Sequence, residues 1–369
     1  MGRAVGQTLS GKSKEKQELA DRALPYEIRV VPVAVAGGSE VIEALFAPLG
    51  YDIDATALTD SDRRAIFDLR LRITARLADI LNHVYVLVPV LDNAKHYWID
   101  KAEIEKLLAK GGDWLPGHPA KELIARRSLK HRRGLVTQAL ERLTEALPDE
   151  TDEGEETPPD TEAVLEKPIR LHDLRLDTVR DAVLAAGASS VLDLGCGEGK
   201  LIRRLIREKG IDRIVGVDPS VRSLETAARR LHLGDAGDAM RERIQLQMGS
   251  LTYGDRRWQG FDAATLGEVI EHIDPPRLSS LELSLFADAK PRTVVVTTPN
   301  REYNALFEGM APGSLRHTDH RFEWTREEFT TWATRVAENH GYSVETAPVG
   351  PVDDTHGAPS QMAVFRRAA

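Results

Sequence analysis

Residues 167–369 predict an α/β fold built on a doubly wound parallel sheet, preceded over residues 1–147 by a smaller mixed α/β or α+β unit. Three observations carry this. After residue 190, short β-branched runs alternate with helical stretches, the pattern of repeated strand–helix–strand units. The first of those runs, VLDL, leads straight into Gly195-Cys196-Gly197-Glu198-Gly199 and then a helix. Residues 148–166 open with PDETDEGEETPPDTEA, where eight of sixteen residues are acidic, none is basic and three are proline. Such a segment has too little apolar area to offset the entropy of ordering it, and its like charges repel, so it reads as a linker between domains.

In chain order, residues 26–35 (YEIRVVPVAV) read as a strand from their β-branched content, and residues 39–49 as a short helix ended by Gly50. Residues 67–73 (FDLRLRI) alternate apolar and charged side chains as a half-buried strand does. The apolar stretch 77–91 follows, and then two polar amphipathic helices near 101–110 and 119–147. The basic run Arg126, Arg127, Lys130, His131, Arg132 and Arg133 reads as a solvated helix face or a contact for RNA or protein. Beyond the linker, strands are expected at 191–194, 213–217, 244–248, 261–266 and 293–297, with helices near 200–208, 221–232, 276–289 and 326–339. Two further strand candidates lie at 342–346 and 361–365.

With 369 residues the chain has room for two domains or one large one. Lys and Arg total 49 against 58 Asp and Glu, a net charge of −9, which excludes the uniformly basic surface of a general duplex binder. The single cysteine, Cys196, excludes an intramolecular disulfide and a cysteine-rich zinc site. That usage fits a reducing compartment, with the cytoplasm the default expectation. No apolar run reaches the ~20 residues of a membrane helix, and the first twenty residues hold no signal-type apolar core, so no membrane partner is expected.

The glycine loop lets the backbone turn tightly at a helix N-terminus and approach a nucleotide-like ligand. Its spacing is G-x-G-x-G with Asp193 two residues ahead, unlike the G-x-G-x-x-G of dinucleotide folds. Strand two ends at Asp218, placed to accept from both ribose hydroxyls of an adenosine, while Asp193 sits under the amino-acid end. The set VLDLGCGEG, VGVDPS and Gly249-Ser250-Leu251 resembles the class I S-adenosylmethionine-dependent methyltransferases. That resemblance implies a Rossmann-like, seven-stranded sheet, S-adenosyl-L-methionine as cofactor, and contacts from Asp193, Gly195, Gly197, Asp218, Pro219, Ser250 and Leu251.

At the end of strand four, Glu268, Glu271 and His272 fall at i, i+3 and i+4, so one helical turn would put all three on one face. Two carboxylates and an imidazole suit Mg²⁺ or Mn²⁺, completed by a distant ligand from His317-Thr318-Asp319-His320 and by substrate oxygens. By spacing alone, solvated acids beside a packed histidine fit equally. Glu268-Val269-Ile270-Glu271-His272, Thr298-Pro299-Asn300 with Glu302-Tyr303-Asn304, and Asp319-His320-Arg321-Phe322-Glu323-Trp324-Thr325-Arg326-Glu327-Glu328-Phe329 together resemble the HUA-enhancer-type small-RNA 3′-terminal ribose 2′-O-methyltransferases over most of residues 170–350. The resemblance implies Glu268, Glu271, His272 and His320 as metal ligands, with His320 rather than His317 in the Asp-His-x-Phe-Glu-Trp position.

The N-terminal half is similar to the bacterial branch of that family in GKSKEKQELA, LDNAKHYWIDKAEIEKLL and WLPGHPAKELIARRSLKHRR. There it is a companion domain of a methyltransferase that partners a polynucleotide kinase-phosphatase with ligase activity in RNA repair. Against the family the chain is expected to be short at its N-terminus, which bears on partner activation more than on methyl transfer. The implied substrate is RNA with free 2′,3′-hydroxyls at its 3′ end. Four protein ligands would leave two octahedral positions for that diol, and His272 is the candidate base. Arg175 and Arg316 are the expected phosphate contacts. Asn300 and Tyr303 are expected at the acceptor pocket, and Phe322 and Trp324 read as packing. The alternatives are a metal-dependent methyltransferase of small-molecule diols, or a repair-complex interaction protein with secondary methylation.

Overall fold

The computed structural model describes residues 11–13, 15–59, 64–92, 110–112, 114–128, 170–307, 309–311 and 313–367. The chain divides into two compact units, Met1–Glu155 and Glu156–Ala369. The acidic segment expected at 148–166, and most of the two amphipathic helices expected before it, lie outside the described residues.

In the first unit, β1 (Leu24–Ala36), β2 (Asp52–Ala57) and β3 (Arg64–Ala75) form an antiparallel sheet in the order β1-β3-β2. The alternation in β3 decides its faces: Phe67, Leu69 and Leu71 are buried. Asp68 and Arg72, on the other face, pair with Arg29 and Glu27 at 2.7 and 2.8 Å. Helix α1 (Ser39–Phe46) buries Ile42, Leu45 and Phe46. The apolar stretch at 77–91 is itself a helix, α2 (Leu77–Asp92), buried over much of its length. The basic run begins in α3 (Lys121–Ser128), and there Arg127 donates to the carbonyls of Ala36, Val90 and Leu91. That residue ties the fold together, while residues 130–133 lie outside the described set.

The second unit carries seven strands in the order β6-β5-β4-β7-β8-β10-β9. These are β4 (Ser190–Leu194), β5 (Arg213–Asp218), β6 (Ile244–Met248), β7 (Ala263–Gly267), β8 (Thr293–Pro299), β9 (Tyr342–Val349) and β10 (Ser360–Arg367). The expected doubly wound, seven-stranded sheet is present, and its direction changes at one edge: β10 inserts between β8 and β9 and runs antiparallel to both. The return from β9 over residues 350–359 makes this possible, since antiparallel neighbours need no crossover helix. The inner strands are covered on both faces, hence their near-continuous apolar runs, while β6 and β9 at the edges keep exposed positions. Leu192, Leu194, Val294 and Val296 point to one core, shared with Phe329 and Trp332 of α4 (Arg326–His340). Val191 and Val295 point to the other, shared with Val179 and Val183 of α5 (Leu171–Ala185). Helix α4 opens with the capping box Thr325/Glu328 and closes at Gly341.

Phe365 on β10 is fully buried, with ring centroids 4.9 Å from Phe286 and 6.0 Å from Trp332. Phe365→Ala is expected to destabilise this unit by about 3–5 kcal/mol, measured by denaturant unfolding. A loss under about 1 kcal/mol would show that the two faces of the sheet repack without it.

Candidate functional site

The strand order reverses between β4 and β7, and in open α/β sheets the crevice at the carboxyl ends beside such a reversal is where ligands bind. The glycine loop leaves β4 there. Gly195 has φ 79°, and a Cβ on it would lie 2.5 Å from Val269 Cγ2. The cofactor loop and the Glu268–His272 segment are therefore in direct contact, and only glycine allows it. Gly197 has φ 50° with open space where a Cβ would point, as a ligand cradle needs.

Asp218, at the tip of β5, accepts from the backbone amides of Gly197 and Ser220 at 2.9 and 2.8 Å. Those bonds fix the loop against the second strand, and each oxygen keeps a further lone pair for a ligand hydroxyl. Asp193 is buried and accepts from Thr265 Oγ1 at 2.9 Å, while its Oδ2 has no hydrogen-bond partner among the described residues. Burial, opposed by the Thr265 bond and reinforced by the Asp218 charge, pushes its pKa up to about 7. An orphaned buried carboxylate oxygen beside a glycine cradle fits the cationic amino-acid end of S-adenosylmethionine. Pro219 is exposed, Ser250 Oγ lies 3.2 Å from Thr252 Oγ1, and Leu251 belongs to the core beneath the loop. Burial, then the charges of Asp193 and Asp218, drive the Cys196 thiol far above its ordinary value, which fits a packing residue.

The single helical turn expected for the metal box does not form. Glu268 takes the left-handed conformation at φ 57°, and only Ile270–His272 winds, as a 3₁₀ turn. Among the described residues, Glu271, His272 and His320 each offer a ligand atom within 4.8 Å of the others. Hard carboxylate and borderline imidazole donors are a set that Mg²⁺ or Mn²⁺ accepts, so the residues fit the expected ion. Glu268 stands beside this trio, with its carboxylate 3.3 Å from Arg175 Nη1.

Each donor is held from behind. Thr298 Oγ1 donates to Glu271 Oε2 at 3.0 Å, and the carbonyl of Glu271 accepts from the amide of Arg321 at 2.7 Å. His272 Nδ1 lies 3.4 Å from Asp319 Oδ2, and the His272 ring centroid 4.8 Å from that of His320. Burial pushes the His320 imidazole below its ordinary pKa, against the pull of Glu323, so it is neutral as a ligand must be. His317 Nδ1 accepts from the amide of Asp319 at 3.0 Å, which turns it to local structure.

The two arginines expected at the phosphates are both buried, and this corrects that expectation. Arg175 sits in the stripe Leu171, Arg175, Val179, Val183 of α5, with Nε donating to Ser360 Oγ at 3.0 Å and Nη1 facing Glu268. Arg316 is 1 % exposed and donates to Asn304 Oδ1 and to the carbonyls of Asn300 and Pro359. Asn300 is likewise committed inward, donating to the carbonyls of His356 and Ala358 and accepting from the Glu302 amide. Tyr303 is half-buried, its ring 5.6 Å from that of Phe307. Phe322 and Trp324 pack against the core as expected. Thr265, Thr298 and Glu323 were not readable as site residues; the one signal for the first two is a threonine inside a valine-rich buried strand.

A family model described as "RNA repair, ligase-Pnkp-associating, region of Hen1" matches residues 1–144, and a methyltransferase-domain model matches residues 129–346. The crystal structure of the methyltransferase domain of a bacterial Hen1, CtHen1-C, is 48% identical, covers 54% of this chain and 100% of that one, and superposes with a TM-score of 0.50. This chain belongs to the Hen1 methyltransferase family. Two relatives, each named small RNA 2′-O-methyltransferase, come from Rattus norvegicus and Arabidopsis thaliana. The rat protein is 38% identical over 218 residues, covering 56% of this chain and 54% of its own length. The Arabidopsis protein is 33% identical over 210 residues, covering 53% of this chain and 22% of its own length. The chain thus spans about half the length of the rat relative. No helix among the described residues is long and apolar enough to cross a membrane.

Proposed function

We propose that this protein transfers a methyl group from S-adenosyl-L-methionine to the 2′-hydroxyl of the 3′-terminal ribose of RNA, at ends left by cleavage, with a divalent cation at Glu271, His272 and His320. The observation that carries the reading is the contact of Gly195 with Val269, which sets the cofactor loop directly against the metal-type donor set. The names of the small RNA 2′-O-methyltransferase relatives support RNA and a 2′-oxygen as the acceptor, and the family model over residues 1–144 supports a repair ligase and kinase-phosphatase as partner. Glu268 is the fourth ligand implied by the family.

The cofactor supplies an activated methyl on a sulfonium, and a divalent cation, when bound, lowers the pKa of a ribose hydroxyl and fixes its direction. The chain's residues do the rest. Asp218 and Asp193 hold the two ends of the cofactor, and the glycine loop lets the backbone close on it. Asn300, Arg316 and the surrounding carbonyls rigidify the acceptor side, leaving Tyr303 as the aromatic face offered to a terminal base. In the displacement a C–O bond forms as the C–S bond breaks, and the hydroxyl proton leaves to a base. His272 is the candidate base through whichever ring nitrogen the cation leaves open, with Asp319 3.4 Å from its Nδ1, and water or a carboxylate is the alternative acceptor.

The test is labelled methyl transfer to a short RNA ending in 2′,3′-hydroxyls, beside its 3′-phosphate and 2′-deoxy counterparts, with and without Mn²⁺ or Mg²⁺. Label confined to the diol end and abolished by chelator is expected. Label on a catechol and on none of the RNAs would replace this reading with a small-molecule methyltransferase.

A further inference from the structure

We propose that Glu323 is a positioning residue for His320, fixing which imidazole nitrogen faces Glu271 and His272 and tying that ring to the acceptor-side segment at 300–306. The inference rests on the reading that this trio holds a divalent cation. Both side chains are wholly buried, and His320 Nδ1 lies 2.6 Å from Glu323 Oε1. A carboxylate can only accept at that distance, so Nδ1 carries the proton and Nε2 carries the lone pair that a ligand needs. The same carboxylate accepts from the Arg316 amide at 2.6 Å and from Asn304 Nδ2 at 2.5 Å. Arg316 in turn donates to Asn304 Oδ1 at 2.7 Å and to the carbonyls of Asn300 and Pro359.

One buried anion therefore holds an imidazole, the loop that bears it and the strand-end segment proposed to take the acceptor. Carboxylate–histidine–metal arrangements of this kind raise ligand basicity and lock ring orientation, and losing the carboxylate weakens metal binding about tenfold to a hundredfold. The competing account is that Glu323 only balances the buried charge of Arg316. Two substitutions separate them. Glu323→Gln keeps the volume and one acceptor but removes the charge. Glu323→Asp keeps the charge near Arg316 while drawing the carboxylate back from the ring by about one C–C bond.

The measurement is Mn²⁺ affinity of the full chain by electron paramagnetic resonance of the free ion, with S-adenosylhomocysteine binding as the check that each variant is folded. Expected are a tenfold to hundredfold weaker Mn²⁺ affinity in E323Q, a several-fold loss in E323D, and S-adenosylhomocysteine affinity within about twofold of wild type. If H320A loses Mn²⁺ while folded E323Q or E323D binds it like wild type, the positioning role is overturned and the metal reading stands. If the wild-type chain binds no Mn²⁺, the metal reading falls and this inference falls with it. Should E323Q fail to fold, E323D alone decides.

Discussion

His320→Ala is expected to lower methyl transfer to a diol-ended RNA by at least about a hundredfold, and Glu271→Gln by a similar factor, with S-adenosylhomocysteine affinity unchanged within about twofold. The two sites are separable because they are anchored differently. Cofactor groups sit on the tips of β4 and β5, whereas Glu271 and His320 hang from the segments after β7 and before α4. Glu271 is fully buried with Thr298 behind it, so glutamine, which keeps the volume and the Thr298 bond, is the informative change. Donors that serve one ion act as a unit, and removing the second after the first should cost little more. The double variant is therefore expected within a few-fold of either single one. Additive losses in the double variant, or activity that survives both chelation and H320A, would show that these side chains serve the fold rather than a metal.

How much of this was legible depends on whether the signal was local. The glycine loop, Asp218 and the Glu-x-x-Glu-His spacing are contiguous in sequence, and each stands at the carboxyl end of a strand where the pattern put it. The single helical turn was not to be had from spacing, because Glu268 takes the left-handed conformation next to Val269, which packs on Gly195 from a segment remote in the chain. Helix α5 was missed because Arg175 interrupts its apolar stripe, and the partner that makes an arginine tolerable there, Glu268, is remote. Burial of Arg316 rests on carbonyls at 300 and 359 and on Glu323, none of which a local pattern reveals. A charge in sequence reads as exposed until its distant partner is known. The antiparallel β10 carries no local sign of direction either; its apolar run fits both.

The second large effect concerns Asp193, whose substitution by asparagine is expected to weaken cofactor binding about a hundredfold and to erase its pH dependence below neutrality. A buried, hydrogen-bonded charge pair that loses one partner costs roughly 2–5 kcal/mol, which over the lower half of that range is about thirtyfold to several-hundredfold. The pH arm follows from the sign of the shift. Burial raises the folded pKa to about 7 from 3.8, so the ligand-free protein keeps a proton that the unfolded chain sheds near pH 4. That contribution to stability is full below about pH 4 and is lost as pH rises through 7. A cationic ammonium reverses the preference, because only the ionised carboxylate can pair with it. With the competent fraction falling from about three-quarters at pH 7.5 to about a tenth at pH 6, wild-type affinity for S-adenosylhomocysteine should drop several-fold over that interval. The drop should vanish in D193N, where any titration of the ligand's own ammonium remains as the baseline. Calorimetric titration of both proteins at the two pH values reads this directly. A pH-independent wild type would place the proton elsewhere, and an unaffected D193N would remove Asp193 from the cofactor site.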